Sequence, residues 1–421
     1  MLDIRMIREN PDLIREGARK KRIECDVDRI LELDVERREL MQKAEELKAL
    51  RNTRSKEVPK LQGEEKQAAI QEMGEVSARI KSFDVELREI EEKLEAEMLR
   101  VPNPPAPEVP EGADDTENVE LRTWGEVPSF DFEPLDHIAL GEKHDIIDVA
   151  RGAQMAGSRN YILKGMGTLL DQAILRLAFD HLVSKGFVPM TVPLLVRDQA
   201  MVGTGYYPGG EEQAYRCERD GLSLIGTSEV PLTSYHAGEI LKVDELPKKY
   251  VALSPCFRRE AGAHGKDTHG LYRVHQFYKV EQVIVTKADP ELSKEHHLEI
   301  LQNSEEILQK LEIPYRVVNV CGGDLGQGQI QKFDLESWMP SRQSYSETHS
   351  ASRFHDFQAR RLNMRYKDEE GKIHHCFTLN NTVIASPRAL IPVLELNQQA
   401  DGTIRVPEAL RPYMGGKEQI G

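Results

Sequence analysis

The chain has 421 residues and a formal net charge of −15, with 39% hydrophobic and 30% charged residues. That length exceeds one ordinary core, so two or more domains are expected, and the composition excludes a disordered chain. No window approaches the 18 or so unbroken apolar residues of a membrane span, the opening MLDIRMIREN lacks a signal-peptide core, and five scattered cysteines without a C-x-x-C pair fit a reducing cytoplasm.

As an average, −15 argues against a nucleic-acid partner. The distribution removes that objection. Residues 1–100 hold 22 basic and 25 acidic residues, residues 101–150 hold 2 and 13, and residues 151–421 hold 32 and 33. Most of the excess therefore sits in one stretch of fifty residues.

Residues 27–100 are poor in Gly and Pro and rich in Glu, Lys, Arg and Leu. Ile30, Leu33, Leu40, Ala44, Leu47 and Val58, then Met73, Val76, Ile80, Phe83, Leu87, Ile90, Leu94 and Val101, follow the 3-4 spacing of a coiled-coil seam. Val58-Pro59-Lys60-Leu61-Gln62-Gly63 breaks the pattern, so two helices should fold back as an antiparallel hairpin with its tip near 58–64. Near that tip Lys48, Arg51, Arg54, Lys56 and Lys60 face only Glu57 in the local sequence, and a cationic tip suits a phosphate backbone. The expected division is an N-terminal domain 1–101, a Pro-rich acidic linker 102–118 and a second domain 119–421.

In the second domain, apolar runs (Phe187–Val196, Tyr250–Phe257, Leu271–Thr286, Tyr315–Val320, His375–Leu379) alternate with helical patterns (Thr168–Lys185, Pro290–Leu311, Pro387–Gln399), which predicts α/β or α+β. Two of these runs, the first carried on through Arg258-Arg259-Glu260, flank a ten-residue loop (261–270) with three glycines, a long hairpin signal. Period two places Arg258 and Glu260 on one strand face, and Arg273, His275, Phe277, Lys279 and Glu281 on one face of the next, with Val274, Tyr278 and Val280 packed opposite. Such a face is either a solvated surface of cross-strand ion pairs or an anion site. Further on, Ser386-Pro387-Arg388 has the chemistry of a helix start, with Ser as N-cap, Pro at N1 and Arg388 in the first turn. A guanidinium there suits a phosphate.

With these residues in view, the chain resembles the bacterial-type seryl-tRNA synthetases, a class II aminoacyl-tRNA synthetase family. FRREAG…GLYRVHQFYKVE (257–281) is similar to that family's motif 2, LNNTVIASPRAL (379–390) to motif 3, and GFVPMTVP (186–193) to motif 1. AGSRNYILKG (156–165), GTSEVPLT (226–233) and DFQARR (356–361) are also similar to stretches of it. The resemblance covers nearly the whole chain. It implies an α+β protein: a two-helix coiled-coil arm and an antiparallel-sheet catalytic domain. That domain would activate L-serine with ATP and Mg²⁺, then load tRNA(Ser), and tRNA(Sec) where present, as a cytoplasmic homodimer.

By the same resemblance, Arg258 would bind the α-phosphate and the serine carboxylate, and Glu260 adenine-side groups. Arg273 and Arg388 would clamp the phosphates, with adenine between Phe277 and Arg388 and with Val274 also at the nucleotide. Glu347 and Ser350 would bind Mg²⁺ and phosphate. Thr227, Glu281, Asn380 and Thr382 would line the serine pocket, and His264 and His269 are either tRNA-end contacts or exposed. The arm cations would meet tRNA. Attack of a carboxylate on the α-phosphorus needs position and charge stabilisation, not a covalent nucleophile. Asn381 and Val383 stand where many relatives carry glycine, Leu396 where Asn is usual, and Pro392 falls inside the motif 3 helix, where a kink is expected.

Overall fold

The computed structural model describes residues 1–421 except 263, 264, 266, 268 and 269, so His264 and His269 lie outside the described residues. The chain packs as two compact units, residues 1–19 with 23–104, and residues 20–22 with 105–421.

In the first unit, short helices α1 (Ile4–Glu9) and α2 (Pro11–Lys21) precede α3 (Val27–Glu57) and α4 (Gly63–Met98), the two arms of a hairpin. Asp26 caps α3 by accepting from the Arg29 amide, and a 3-10 turn at Val58–Lys60 closes the tip, where proline and the left-handed Gly63 end helix propagation. The seam forms as expected: Ile30, Leu33, Ala44, Ile80 and Leu94 are buried. At the base, Leu2, Ile7, Ile14, Val27, Met98 and Val101 complete a small core. Fully buried Asp34 accepts there from Arg8 at 3.2 Å, Arg37 at 3.2 Å and Arg38 at 3.1 Å. A buried carboxylate is tolerable because it is so heavily paired.

The second unit is built on an eight-stranded sheet. Its strands are β1 (Val119–Trp124), β2 (Val188–Met190), β3 (Lys248–Phe257), β4 (Gln276–Thr286), β5 (Tyr315–Asn319), β6 (Gln331–Met339), β7 (Ser344–His355) and β8 (Phe377–Ser386). The order is β1-β5-β6-β7-β8-β4-β3-β2, antiparallel except for β2 on β3. Helices α5 (Met166–Ser184) and α6 (Pro290–Lys310) cover one face, where Leu170, Ile174, Ile300, Leu301, Leu379 and Ile384 form the main core. The opposite face carries the polar side chains of β4, β7 and β8.

Two bulges decide which side chains reach that face. Glu336 pairs with Glu347 but Leu335 pairs with His349, which leaves Thr348 as an extra residue in β7. Without it, strict alternation would put Glu347 and Ser350, three apart, on opposite faces. In β8, Val280 pairs with Ile384 and Glu281 with Thr382, so Val383 is the extra residue and its side chain enters the core.

Several expectations need correction. The strands of the β3–β4 hairpin end at Phe257 and resume at Gln276, so Arg258, Glu260, Arg273 and Val274 lie in the connection. Glu260 has φ +52°, outside any strand alternation. Tyr278 is 40% exposed instead of packed. The last helix, α7, spans Leu390–Leu396, so Ser386 ends a strand and Arg388 precedes the helix. Pro392 is the third residue of α7, where its missing amide is among those with no intrahelical partner, so no kink is required. Strands β1, β6 and β7 escape the hydrophobic pattern because polar residues make up half or more of each.

Candidate active site

Motif segments distant in sequence converge on one cleft of about 180 Å³. Arg258, Glu260, Arg273, Val274, Phe277, Glu281, Glu347, Ser350, Asn380, Thr382 and Arg388 all line it. Thr227 does not, but it is buried behind the cleft and donates to Glu281 at 3.4 Å.

At one end, the Arg258 guanidinium lies 5.2 Å from the centre of the Phe277 ring, and its Nε donates to the Gly226 carbonyl at 3.3 Å. One more pair extends the ladder beyond the strands, the Arg258 amide donating to the His275 carbonyl at 2.9 Å. That bond aims Arg258 inward without a regular strand. Arg273 pairs with Glu260 at 2.8 Å.

At the centre, Arg388 donates to the Glu347 carbonyl at 3.0 Å and stands 3.7 Å from the Glu347 carboxylate. Its guanidinium rests 4.3 Å from the Tyr272 ring centre. Phe277 thus faces Arg258 and Arg388 faces Tyr272. Desolvation in the cleft would raise the Glu347 carboxyl, but Arg388, then Lys332, Arg258 and Arg273, outweigh it and hold it below its usual range. An ionised Glu347 and the Ser350 hydroxyl, brought to one face by the β7 bulge, form a hard oxygen donor pair. With only two protein ligands, water and phosphate oxygens can complete an octahedron, so these residues fit Mg²⁺.

At the other end, Glu281 is buried against Lys279, and Thr382 lies 3.5 Å from its carboxylate. Lys279 also donates to Thr382 Oγ1 at 3.2 Å. The Asn380 side-chain nitrogen is buried with no hydrogen-bond partner among the described residues, a donor held ready at the cleft wall. Glu229 accepts from Gln358 at 2.8 Å and from Tyr206 at 3.3 Å. Burial, then the Glu281 charge, push it up to about 7.

Asn381 points away from the cleft and is fully buried. It accepts from Gln282 and Ser304, both at 2.6 Å, and donates to the Ser350 carbonyl at 2.8 Å. The departure from glycine is therefore fully hydrogen-bonded. Glu395 is also satisfied, accepting from the His137 amide at 3.1 Å, from His137 Nδ1 at 2.8 Å and from the Ser341 amide at 2.9 Å, while Leu396 packs at the core's edge.

Sequence reasoning gave no role to Tyr206, Glu229, Tyr272 or Lys279, all of which line the cleft. Lys279 was legible by period, two residues before Glu281. Tyr206 carried no signal, because only tertiary packing brings its loop to the site. On the arm, the neighbouring helix supplies acids that the local sequence hides. Lys48 pairs with Asp84 at 2.9 Å, and Arg54 with Glu57 at 3.1 Å and Glu72 at 3.9 Å. The reading of a tip opposed only by Glu57 is therefore corrected. Arg51, Lys56 and Lys60 keep no ion-pair partner among the described residues.

Comparison with known proteins identifies the family of the two units. Residues 1–105 match the profile of the seryl-tRNA synthetase N-terminal domain, and residues 215–397 that of the tRNA synthetase class II core domain (G, H, P, S and T). The serine–tRNA ligase of Deinococcus radiodurans is 48% identical over 421 residues, covering 100% of this chain and 99% of that protein. Among solved structures, the seryl-tRNA synthetase of Pyrococcus horikoshii complexed with ATP superposes with a TM-score of 0.93 at 40% identity, covering 100% of this chain and 99% of the other. The cytoplasmic serine-tRNA ligase of Naegleria fowleri in complex with AMP gives 0.88 at 34% identity, with 100% and 98% covered.

Proposed function

We propose, from the premise that this chain belongs to the seryl-tRNA synthetase family, how its own residues carry out the ligation of serine to tRNA. Activation of L-serine by ATP takes place in the cleft between Arg258 and Arg388. Arg258 holds the α-phosphate and the serine carboxylate side by side, so that a carboxylate oxygen attacks the α-phosphorus and pyrophosphate leaves. Arg273 and Arg388 take the charge on the departing phosphates, and Glu260 and Phe277 position the adenine. Binding would require Arg273 to exchange Glu260 for phosphate, and Phe277 and Arg388 to accept the ring between them. Glu347 and Ser350 would hold Mg²⁺, which supplies charge neutralisation to the phosphates when bound.

The serine hydroxyl meets Glu281 and Thr382, with Thr227 behind and Asn380 at the wall. A site built to satisfy a hydroxyl rejects alanine because its own buried polar groups would go unpaired. The observation that carries this reading is that three arginines, a half-exposed low-pKa carboxylate and the polar groups of Glu281, Asn380 and Thr382 share one cleft. Transfer to the tRNA 3′-terminal ribose follows, with the helical arm and its free cations Arg51, Lys56 and Lys60 against the RNA backbone.

The protein works as a homodimer in the cytoplasm. Leu169, Leu253 and Tyr278, 39–46% exposed, line a depression of about 710 Å³ on the catalytic unit, a face suited to a second copy. All five cysteines are free thiols, which suits a reducing compartment.

ATP–pyrophosphate exchange across the twenty amino acids tests the proposal. Serine should support exchange, and a chain lacking residues 30–98 should retain it while losing tRNA charging. Exchange with another amino acid only, or normal charging by the truncated chain, would overturn the corresponding part.

A further inference from the structure

One basic side chain at the cleft belongs to none of the motifs. Arg342 sits in the 3-10 turn Pro340–Arg342 between β6 and β7. The turn is fixed from below, the Ser341 amide donating to buried Glu395 at 2.9 Å and the Gln343 side chain to the Pro340 carbonyl at 2.8 Å. Its guanidinium lies 4.0 Å from the centre of the Tyr272 ring, the same ring that Arg388 approaches to 4.3 Å. Tyr272 is held in turn, its hydroxyl donating to the Glu347 carbonyl at 2.9 Å. Arg342 also donates to Ser346 Oγ at 3.1 Å and pairs with Asp267. The same Asp267 carboxylate stands 3.7 Å from Arg273 Nε.

One anionic group therefore already spans Arg273 and Arg342, beside the cleft that Tyr272, Arg273 and Arg388 line. Two guanidinium groups against one ring repel each other. Burial, then the Arg388 charge, lower the pKa of Arg342. An anion bound to both would relieve that repulsion, and a phosphate offers more acceptor oxygens and more charge than one carboxylate. Stacking on Tyr272 pre-orders the arginine fork, so little side-chain entropy remains to be lost when an anion binds.

We propose that Arg342 is a further ligand for the distal phosphates of the nucleoside triphosphate, and that the Asp267 carboxylate is the chain's own occupant of that position, displaced when a polyphosphate binds. The inference rests on the ATP-dependent reading of the cleft. It predicts a split between nucleotides that carry distal phosphates and those that do not. Arg342 should matter for ATP and inorganic pyrophosphate, and not for AMP or serine.

Calorimetric titration of the full chain with ATP and with AMP, together with exchange kinetics in pyrophosphate, tests it. Arg342→Ala should weaken ATP binding and raise the KM for pyrophosphate roughly tenfold, with AMP affinity and the KM for serine unchanged. Asp267→Asn should tighten ATP severalfold by removing the competitor. Should Arg342→Ala fail to fold, Arg342→Gln, which keeps a polar, hydrogen-bonding side chain without the charge, should show the same ATP-selective loss. Equal weakening of AMP and ATP would mean that Arg342 only shapes the site, and unchanged ATP and pyrophosphate constants would remove it from the phosphates. Either result overturns the proposal, as does weaker ATP binding by Asp267→Asn. Absence of serine-dependent exchange in the unmodified chain would instead overturn the reading of the cleft itself.

Discussion

Arg388 donates to the main-chain carbonyl of Glu347 at 3.0 Å and faces its carboxylate at 3.7 Å. The bond ties the segment after β8 to the first half of β7, so one arginine both positions the acidic residue and keeps it ionised. A guanidinium used this way cannot be replaced by a smaller cation without losing the carbonyl bond or the charge contact.

Arg388→Ala should therefore lower serine-dependent exchange at least a hundredfold, the scale of removing one preorganised charge stabiliser. The thermal midpoint should move little, because the side chain is at the surface of the cleft. Unchanged exchange kinetics would remove Arg388 from the site.

The buried pair of Lys279 and Glu281 makes a stability prediction. Glu281→Ala leaves Lys279, 5% exposed in the intact protein, with only the Thr382 hydroxyl as ammonium partner among the described residues. Loss of one member of a buried pair costs about 3–5 kcal/mol. Urea unfolding should show that loss, and replacing Lys279 by methionine in the same chain should recover much of it.

Asn381 predicts a smaller effect. Asn381→Ala would leave Gln282, Ser304 and the Ser350 carbonyl each short of a partner inside the protein, for a loss of about 1–3 kcal/mol in denaturant titration. Because the Ser350 carbonyl is released, more Mg²⁺ should be needed for half-maximal exchange. An unaltered Mg²⁺ dependence would show that Ser350 is held by its strand alone.

Glu229 predicts a pH dependence. Burial first, then Glu281, raise it from 4.5 to about 7. Between those values the folded chain holds the proton more tightly than the unfolded chain, so this contribution to stability is full below about pH 4.5 and is lost as pH rises through 7. Glu229→Gln should flatten the decline in unfolding midpoint over that window. An identical slope in the variant would assign the dependence to other buried carboxyls such as Asp171 and Asp334, both also pushed up to about 7.

On the arm, the ion pairs divide the cations into two classes. Replacing Arg51, Lys56 and Lys60 together by glutamine should weaken tRNA binding and reduce the slope of log affinity against log salt by about 2. Replacing Lys48 and Arg54 should do less, since Asp84, Glu57 and Glu72 already neutralise them. A salt slope unaffected by the triple change would place the RNA contacts elsewhere.

The hairpin was legible in the residues because a coiled-coil seam is a local periodicity, written every three to four positions and interrupted at Pro59. The motifs were legible as strings, and β3, β4, β5 and β8 as apolar runs. Strand β7 was not, because a strand that lines a polar cleft surrenders the alternation by which strands are recognised. Period two also misplaced Arg258, Glu260 and Arg273, which lie beyond the strand ends.

What the amino-acid order determined by itself was the helical arm, the identity of the charged groups and the family they belong to. The tertiary structure alone decided which of them meet. The extra residues Thr348 and Val383 turn Glu347, Ser350 and Thr382 toward one cleft, and a turn 70 residues along the chain from Tyr272 sets Arg342 against that ring. The physical reason is that side-chain direction depends on the register of paired strands, and register is a property of two segments at once.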